Sequence, residues 1–337
     1  MTDYFRPIVQ SGPARPEGAL RLAGGPCWFD TVEHLRRGGR PRVLAARELP
    51  EAWRHALTSP RAPVAGLSLE RPRIMGILNV TPDSFSDGGA HVALPDALAG
   101  AAGMAAADII DIGGESTRPG AETVAAGHEI ARTVPVIEAL KDADRARLIS
   151  IDTRKAAVAE AALAAGADIV NDVAGFTFDG GLALLCAQTG VPVCVMHAQG
   201  DPQTMQRAPR YDDVLLDVYD WLAGRIEWLA AQGIARDRII ADPGIGFGKT
   251  LEHNLALLAR LGLFHGLGVP ILLGASRKRF IGTIGAEQDP RRRMPGSVAV
   301  ALAALQHGTQ IVRVHDVAET AQAVALWRAS VAGEVDG

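Results

Sequence analysis

Lysine is scarce. Lys141, Lys155, Lys249 and Lys278 are the only four among 34 Lys plus Arg residues, so the other 30 are Arg. Genomic bias explains the Arg, but a Lys kept in such a chain is a candidate for a place that wants a compact ammonium and not a planar fork. Cysteine is also sparse. Cys27, Cys186 and Cys194 have neither metal-ligand nor redox spacing, so thiol-based metal and redox centres are excluded and reduced structural thiols of a cytosolic protein are expected. There is no excess of positive charge. A net charge of −4 gives no general pull toward nucleic acid or anionic membrane, and any anion site must be local. No apolar run reaches membrane-spanning length and the N-terminus lacks a signal-peptide pattern, so a cytoplasmic location is expected.

What is present is a good core. The 337 residues are 48% apolar and 21% charged, enough for one large domain or two small ones. Residues 1–72 are rich in Pro, Gly and Arg. They read as an N-terminal appendage without assigned chemistry, with helices expected near 28–37 and 50–57 and little order over the first twenty residues. From Ile74 onward the pattern alternates. Strands are expected at 74–79, 109–113, 148–152, 168–172, 191–196, 238–242, 269–274 and 310–315, each Ile/Val/Leu-rich on both faces as in a helix-covered parallel sheet. Ala/Leu-rich helices lie between them, several ended by Gly, as at Gly166, Gly190 and Gly233. Eight βα units predict an α/β fold, a TIM (β/α)8 barrel over 73–337, in preference to an open doubly wound sheet.

Barrel sites lie at the C-terminal ends of the strands. The tips here read Asn79, Glu115 to Arg118, Asp152, Asn171 with Asp172, His197, Asp242, Ser276 to Lys278, and Arg313 with His315. One polar tip means little, because every strand ends in a loop. Eight in register is a different matter. Asp152, Asn171 and Asp242 make an acceptor-rich patch suited to a flat heterocycle with adjacent N–H and NH₂ donors. Arg118, Arg313 and His315 make a cationic patch suited to phosphate oxygens.

Two long stretches carry a specific resemblance. Residues 74–89, ending Asn79-Val80-Thr81-Pro82-Asp83-Ser84-Phe85-Ser86-Asp87-Gly88-Gly89, and Asp111-Ile112-Gly113-Gly114-Glu115-Ser116-Thr117-Arg118-Pro119-Gly120 closely resemble the two signatures of the dihydropteroate synthases. Ser150 to Arg154, Ile169 to Asp172, Asp242 to Phe247, Ser276 to Lys278 and Arg313 to Asp316 follow in the family's order. The match runs from about 73 to 330, leaving the appendage outside.

The resemblance implies condensation of 6-hydroxymethyl-7,8-dihydropterin pyrophosphate with 4-aminobenzoate in folate synthesis. It implies that Asp152, Asn171, Asp242 and Lys278 hold the pterin. Asn79, Thr117, Arg118, Arg313 and His315 would face pyrophosphate, with Asn79 a ligand of Mg²⁺. Phe85, Thr117, Pro119, Phe247 and Ser276 would frame 4-aminobenzoate. Asn79, Arg118, Lys278, Arg313 and His315 would carry the catalysis. The family commonly forms homodimers through barrel helices, and neither nucleic acid nor membrane is an expected partner. The loops at 81–89 and 114–120 would act as lids.

Other motifs are discounted. Gly244 to Thr250 fails as a Walker A because Pro243 stands where its first Gly belongs. His197 reads as loop support, Arg291-Arg292-Arg293 as a solvated face, and Met104 and Met196 as core filling. Ala107 replaces a common Gly before the second strand, harmless if φ is negative. A pterin-binding methyltransferase would share the acceptor patch but needs no pyrophosphate site. A non-catalytic pterin-binding homologue would not need intact loops.

Overall fold

The protein is described by a computed structural model covering residues 3–81, 90–116, 121–200 and 204–333. The N-terminal region contains β1 (Tyr4–Pro7), β2 (Leu20–Arg21), β3 (Trp28–Phe29), β4 (Thr31–Leu35), β5 (Arg42–Ala45) and α1 (Glu51–Thr58). β4 is the centre of an antiparallel sheet ordered β1-β4-β5. The helix expected near 28–37 is therefore two strands. Pairing on both sides of β4 and burial of Phe29, Val32 and Leu35 override the local helical pattern. The N-terminus is also more structured than expected: Tyr4 and Phe5 are buried in β1.

The alternating part of the chain then runs β6 (Arg73–Asn79), α2 (Ala90–Ala102), β7 (Ile109–Gly113), α3 (Ala126–Ala143), β8 (Leu148–Asp152), α4 (Ala156–Ala164), β9 (Ile169–Asp172) and α5 (Leu182–Thr189). It continues β10 (Val193–Met196), α6 (Val214–Ala231), β11 (Ile239–Asp242), α7 (Leu251–Ala259), β12 (Leu272–Leu273), α8 (Arg279–Ile284), α9 (Met294–Gln306), β13 (Ile311–Val314) and α10 (Val317–Ala332). The eight strands pair in parallel in the order β11-β10-β9-β8-β7-β6-β13-β12. A parallel bridge between Ala241 and Ile271, with the Ala241 N–H donating to Pro270 O at 2.9 Å, joins the two ends. The sheet is a barrel, as the eight-unit pattern predicts. Gly166, Gly190 and Gly233 end helices at φ of 110°, 66° and 99°, where a side chain would be strained. Ala107 is absent from the left-handed residues, so its methyl group costs nothing.

Strand periodicity organises the barrel interior. Ile109, Ile169, Ile240 and Ile311 come from alternate strands β7, β9, β11 and β13 and pack in one buried cluster. Two residues further on, on the same strand face, stand Asp111, Asn171, Asp242 and Arg313. A dry aliphatic layer thus supports a polar one. Val64 and Leu69, from the segment before β6, join the aliphatic cluster and plug the barrel where the strands begin. The mouth at the strand C-termini is left for chemistry.

The N-terminal region leans on the barrel wall. Tyr4 Oη donates to both Asp220 carboxylate oxygens at 2.9 and 2.8 Å, and Arg37 reaches Asp217 at 2.5 Å and Asp220 at 2.6 Å, all on α6. Trp53 stacks on Tyr219 with 5.8 Å between centroids. Arg61 donates to His265 O at 2.9 Å. All of this lies on the outer wall, away from the mouth.

Candidate active site

Three members of the polar layer, Asp111, Asn171 and Arg313, form a connected network with Asp152. Asp111 is fully buried, and its Oδ2 accepts from Asn171 Nδ2 at 3.0 Å and from Arg313 Nε at 2.6 Å. A second guanidinium nitrogen of Arg313 donates to Asp152 Oδ2 at 2.7 Å. Asp242 Oδ1 accepts from the Gly244 N–H at 2.7 Å. Its Oδ2 faces Gly274, where an added Cβ would lie 3.5 Å from that oxygen and 3.9 Å from Arg313. The missing side chain at Gly274 keeps the space between Asp242 and Arg313 open.

Electrostatics follow from burial. Desolvation pushes the Asp152 carboxyl above its ordinary range, with Arg313 pulling it back and Asp111 adding to the rise. Asp242 is also raised by burial, against Lys278. The Arg313 guanidinium stays charged between its carboxylates. Lys278 is pushed down to about 8, mainly by desolvation, with Asp242 opposing. Its ammonium donates to Ile245 O and lies 4.6 Å over the Phe247 ring. It is not the surface cation that its Arg neighbours would make it.

Two loops are built around ammonium hubs. Gly244, Gly246 and Gly248 have φ of 69°, 84° and 62°, which turns successive carbonyls of the β11–α7 loop inward. Buried Lys249 donates to Gly244 O at 2.9 Å and Phe247 O at 3.1 Å, and its Nζ lies 2.8 Å from His197 Nδ1. Burial and Lys249 together depress His197 to about 2, so the ring is neutral and supports the loop. Lys155 is the second hub, with Glu115 at 2.9 Å and Glu129 at 2.6 Å. Glu115 also pairs with Arg154 at 3.0 Å and accepts from the Val124 N–H at 2.8 Å. Glu115 and Val124, on either side of residues 117–120, thus meet at one buried ion cluster. Lys141 likewise binds Arg147 O and Asp168, each at 2.8 Å. Lys141, Lys155 and Lys249 therefore each serve more than one oxygen, while Lys278 serves one beside the Phe247 ring.

The tips of β12 and β13 are clamped together. Ser276 Oγ accepts from the His315 N–H at 3.2 Å and lies 3.0 Å from His315 Nδ1. Between Ser276 and Lys278, Arg277 has φ of 58°, a left-handed conformation costing a non-Gly residue roughly 1–2 kcal/mol. It is held by Asp316 through its guanidinium, by Ser297 Oγ on its N–H at 2.9 Å, and by Arg293 on its carbonyl at 3.0 Å. Arg293 is buried and bonds three carbonyls, so the solvated-face reading of residues 291–293 holds only for Arg291 and Arg292.

The structure thus gathers Asn79, Asp152, Asn171, Asp242, Lys278, Arg313, Ser276, His315 and Phe247 at one end of the barrel. Phe85, Thr117, Arg118 and Pro119 lie outside the described residues. One expectation changes: Arg313 does not stand in a cationic patch apart from the acids but inside the acid layer, paired with two of its members. Asp111 was not singled out from the sequence, although it repeats the Ile-x-polar spacing of Asn171, Asp242 and Arg313.

Among the described residues no helix is long and apolar enough to cross a membrane. Residues 75–315 match the family described as pterin binding enzymes. The chain is 47% identical over 271 residues to the dihydropteroate synthase of Escherichia coli strain K12, covering 80% of this chain and 95% of that one. It is 48% identical over 270 residues to that of Neisseria meningitidis serogroup B, covering 78% and 94%. Among solved structures, dihydropteroate synthase of Xanthomonas albilineans with 4-aminobenzoic acid superposes with a TM-score of 0.75 at 47% identity, covering 81% and 98%. The same enzyme with 7,8-dihydropteroate gives 0.72 at 44% identity, covering 80% and 98%.

Proposed function

The chain belongs to the dihydropteroate synthase family of pterin binding enzymes, and from that premise we propose which of its residues do the work. It is a transferase of folate synthesis, joining the pterin of 6-hydroxymethyl-7,8-dihydropterin pyrophosphate to 4-aminobenzoate and releasing pyrophosphate. The observation that carries the residue assignment is that Asp152 and Asn171, joined through Arg313 and Asp111, share the barrel mouth with Asp242, which faces Arg313 across the space that Gly274 leaves open.

In this reading Asp242 and Asp152 accept from the ring N–H and NH₂ groups, and Lys278 donates to a ring oxygen or nitrogen. Removing those donors from water is offset only if each meets its acceptor, which orients the ring. The exocyclic CH₂ then points toward Arg313 and His315. The C–O bond to pyrophosphate breaks while dihydropterin donation spreads positive charge onto the CH₂, and Arg118, Arg313 and His315 take up charge on the leaving oxygens. The arylamine nitrogen forms the new C–N bond and loses a proton. No enzyme nucleophile is needed, because positioning supplies the rate. Phe247, with Phe85 and Pro119, gives flat contact to the benzene ring. Thr117 adds a hydroxyl shared between the aminobenzoate and pyrophosphate sites, and Ser276 adds another toward the aminobenzoate carboxylate.

Mg²⁺ fits the oxygens available. A Cβ added at Gly113 would lie 3.7 Å from Asn79 Oδ1 and 3.8 Å from Asp152 Oδ2, so two oxygens border one space near the expected pyrophosphate. Asn79 would be the protein ligand, and the ion, keeping waters, would neutralise phosphate charge. We also propose a cytoplasmic homodimer. Buried free thiols support the compartment. Exposed Leu255, Ile284 and Leu326, on the barrel helices α7, α8 and α10, support a second copy as partner. Light scattering at twice the chain mass is the expected result; a monomer at micromolar concentration overturns it.

The test of function is pyrophosphate release with both substrates and Mg²⁺. Release that needs both substrates supports the assignment, and failure with a folded, pterin-binding protein rejects it.

A further inference from the structure

Asp111 does a job that no substrate contact requires. Its carboxylate is fully buried within the polar layer, Oδ2 carries bonds from Asn171 and Arg313, and Oδ1 has no partner among the described residues. A buried carboxylate with an orphaned oxygen is costly to the fold. The layers inside a barrel are ordinarily filled with branched aliphatics, as is the adjacent layer of Ile109, Ile169, Ile240 and Ile311. Stability therefore does not account for an acid here.

The network gives a more specific reason. An Asn amide can face a ligand with either its oxygen or its NH₂. A carboxylate at Asp111 can only accept, so it fixes the Nδ2 end of Asn171 downward and leaves Oδ1 for the ligand. With Asp152 and Asp242, the mouth then presents acceptors from three strands. The same carboxylate holds Nε of Arg313, so the guanidinium reaches Asp152 and the mouth with its remaining donors. We propose that Asp111 is a positioning residue of the pterin site, setting the Asn171 amide with its oxygen toward the ring and anchoring the Arg313 guanidinium beneath it. The proposal rests on the pterin site assigned above and makes the specificity of that site for a donor-rich edge depend on a fully buried residue bonded to two of the site's groups.

The test exchanges donor and acceptor. The full chain and its variants are titrated by calorimetry with 6-hydroxymethyl-7,8-dihydropterin, a ligand without pyrophosphate, and KM for 4-aminobenzoate is measured alongside. Asn171→Asp alone sets two carboxylates against each other and is expected to lose roughly thirtyfold in pterin affinity. In the double variant Asp111→Asn/Asn171→Asp the donor moves to position 111 and position 171 still offers an oxygen upward. That variant is expected to recover at least about tenfold of the loss. Asp111→Ala should lose pterin affinity with KM for 4-aminobenzoate changed less than about twofold, since uniform binding elsewhere is untouched. Should Asp111→Ala fail to fold, the exchange pair still decides. Losses that simply add in the double variant, with wild-type pterin binding intact, overturn the role of Asp111 alone. A wild-type protein that binds no pterin overturns the site assignment and this inference together.

Discussion

Arg313 and Asp152 lie 161 residues apart in the chain and are joined by a 2.7 Å hydrogen bond across the mouth of the barrel. The residue proposed to face pyrophosphate is thus bonded to a residue proposed to hold the ring. Substrate must share Asp152 with Arg313, and removing Arg313 leaves Asp152 a buried charge, whereas Arg313 keeps Asp111 when Asp152 is removed.

Arg313→Ala is therefore expected to affect more than the leaving group. Burial already raises Asp152, and losing the guanidinium raises it further, so the carboxyl holds its proton to higher pH. Affinity for the unphosphorylated pterin should fall at least about tenfold below wild type at pH 6, and this gap to wild type should narrow as pH rises toward 9, since one pKa unit is worth about 1.4 kcal/mol. Calorimetry across that range checks it; a loss independent of pH rejects the coupling.

Asp242→Ala removes an acceptor that is buried and already bonded to Gly244. Ring donors left without a charged partner cost about 2–3 kcal/mol, so pterin binding should weaken at least about thirtyfold. Near-native affinity would dismiss Asp242 from the pocket.

Lys278 sets an alkaline limit. Its ammonium is pushed down to about 8 in the empty site, so the charged donor is present below that pH and lost above it. The pH profile of kcat/KM for the pterin substrate should fall through about 8. The kcat profile should fall later, because bound ring acceptors favour the ammonium. A Lys278→Met variant should lack this limb; a profile with the same fall would assign it to another group.

Lys249→Met leaves Phe247 O without its donor, while Gly244 O keeps the Phe247 N–H at 3.1 Å. Stability in urea should drop by about 2 kcal/mol, the cost of an orphaned acceptor. KM for 4-aminobenzoate should rise because Phe247 loses its anchor. Unchanged stability would mean the loop holds itself.

Two buried histidines make the fold acid-sensitive. His197 and His265 are depressed to about 2 and about 3, chiefly by burial, from an ordinary 6.5. The unfolded chain binds those protons below 6.5 and the folded chain does not, so stability is whole above that pH and falls below it. At pH 5 each should cost about 2 kcal/mol. Urea midpoints at pH 7 and 5 measure this, and a His265→Gln variant should lose less on acidification.

The sequence by itself determined the eight βα units, the strands at Ile109–Gly113 and Leu148–Asp152, and the chemistry at the tips. Apolar periodicity and strand-end polarity are local properties, legible wherever burial on both faces demands an unbroken aliphatic run. Only the tertiary structure decided the strands of Trp28–Leu35, because their partners β1 and β5 are what outweigh a helical pattern. Only it showed that Arg313 belongs to the acid layer, that Lys249 ties His197 to the glycine loop, and that Asp111 underlies both Asn171 and Arg313. Those relations join residues 52 to 202 positions apart. Barrel closure, which brings alternate strands to one layer, is the physical step that sets four separate Ile-x-polar steps side by side and lets three of them, Asp111, Asn171 and Arg313, share hydrogen bonds.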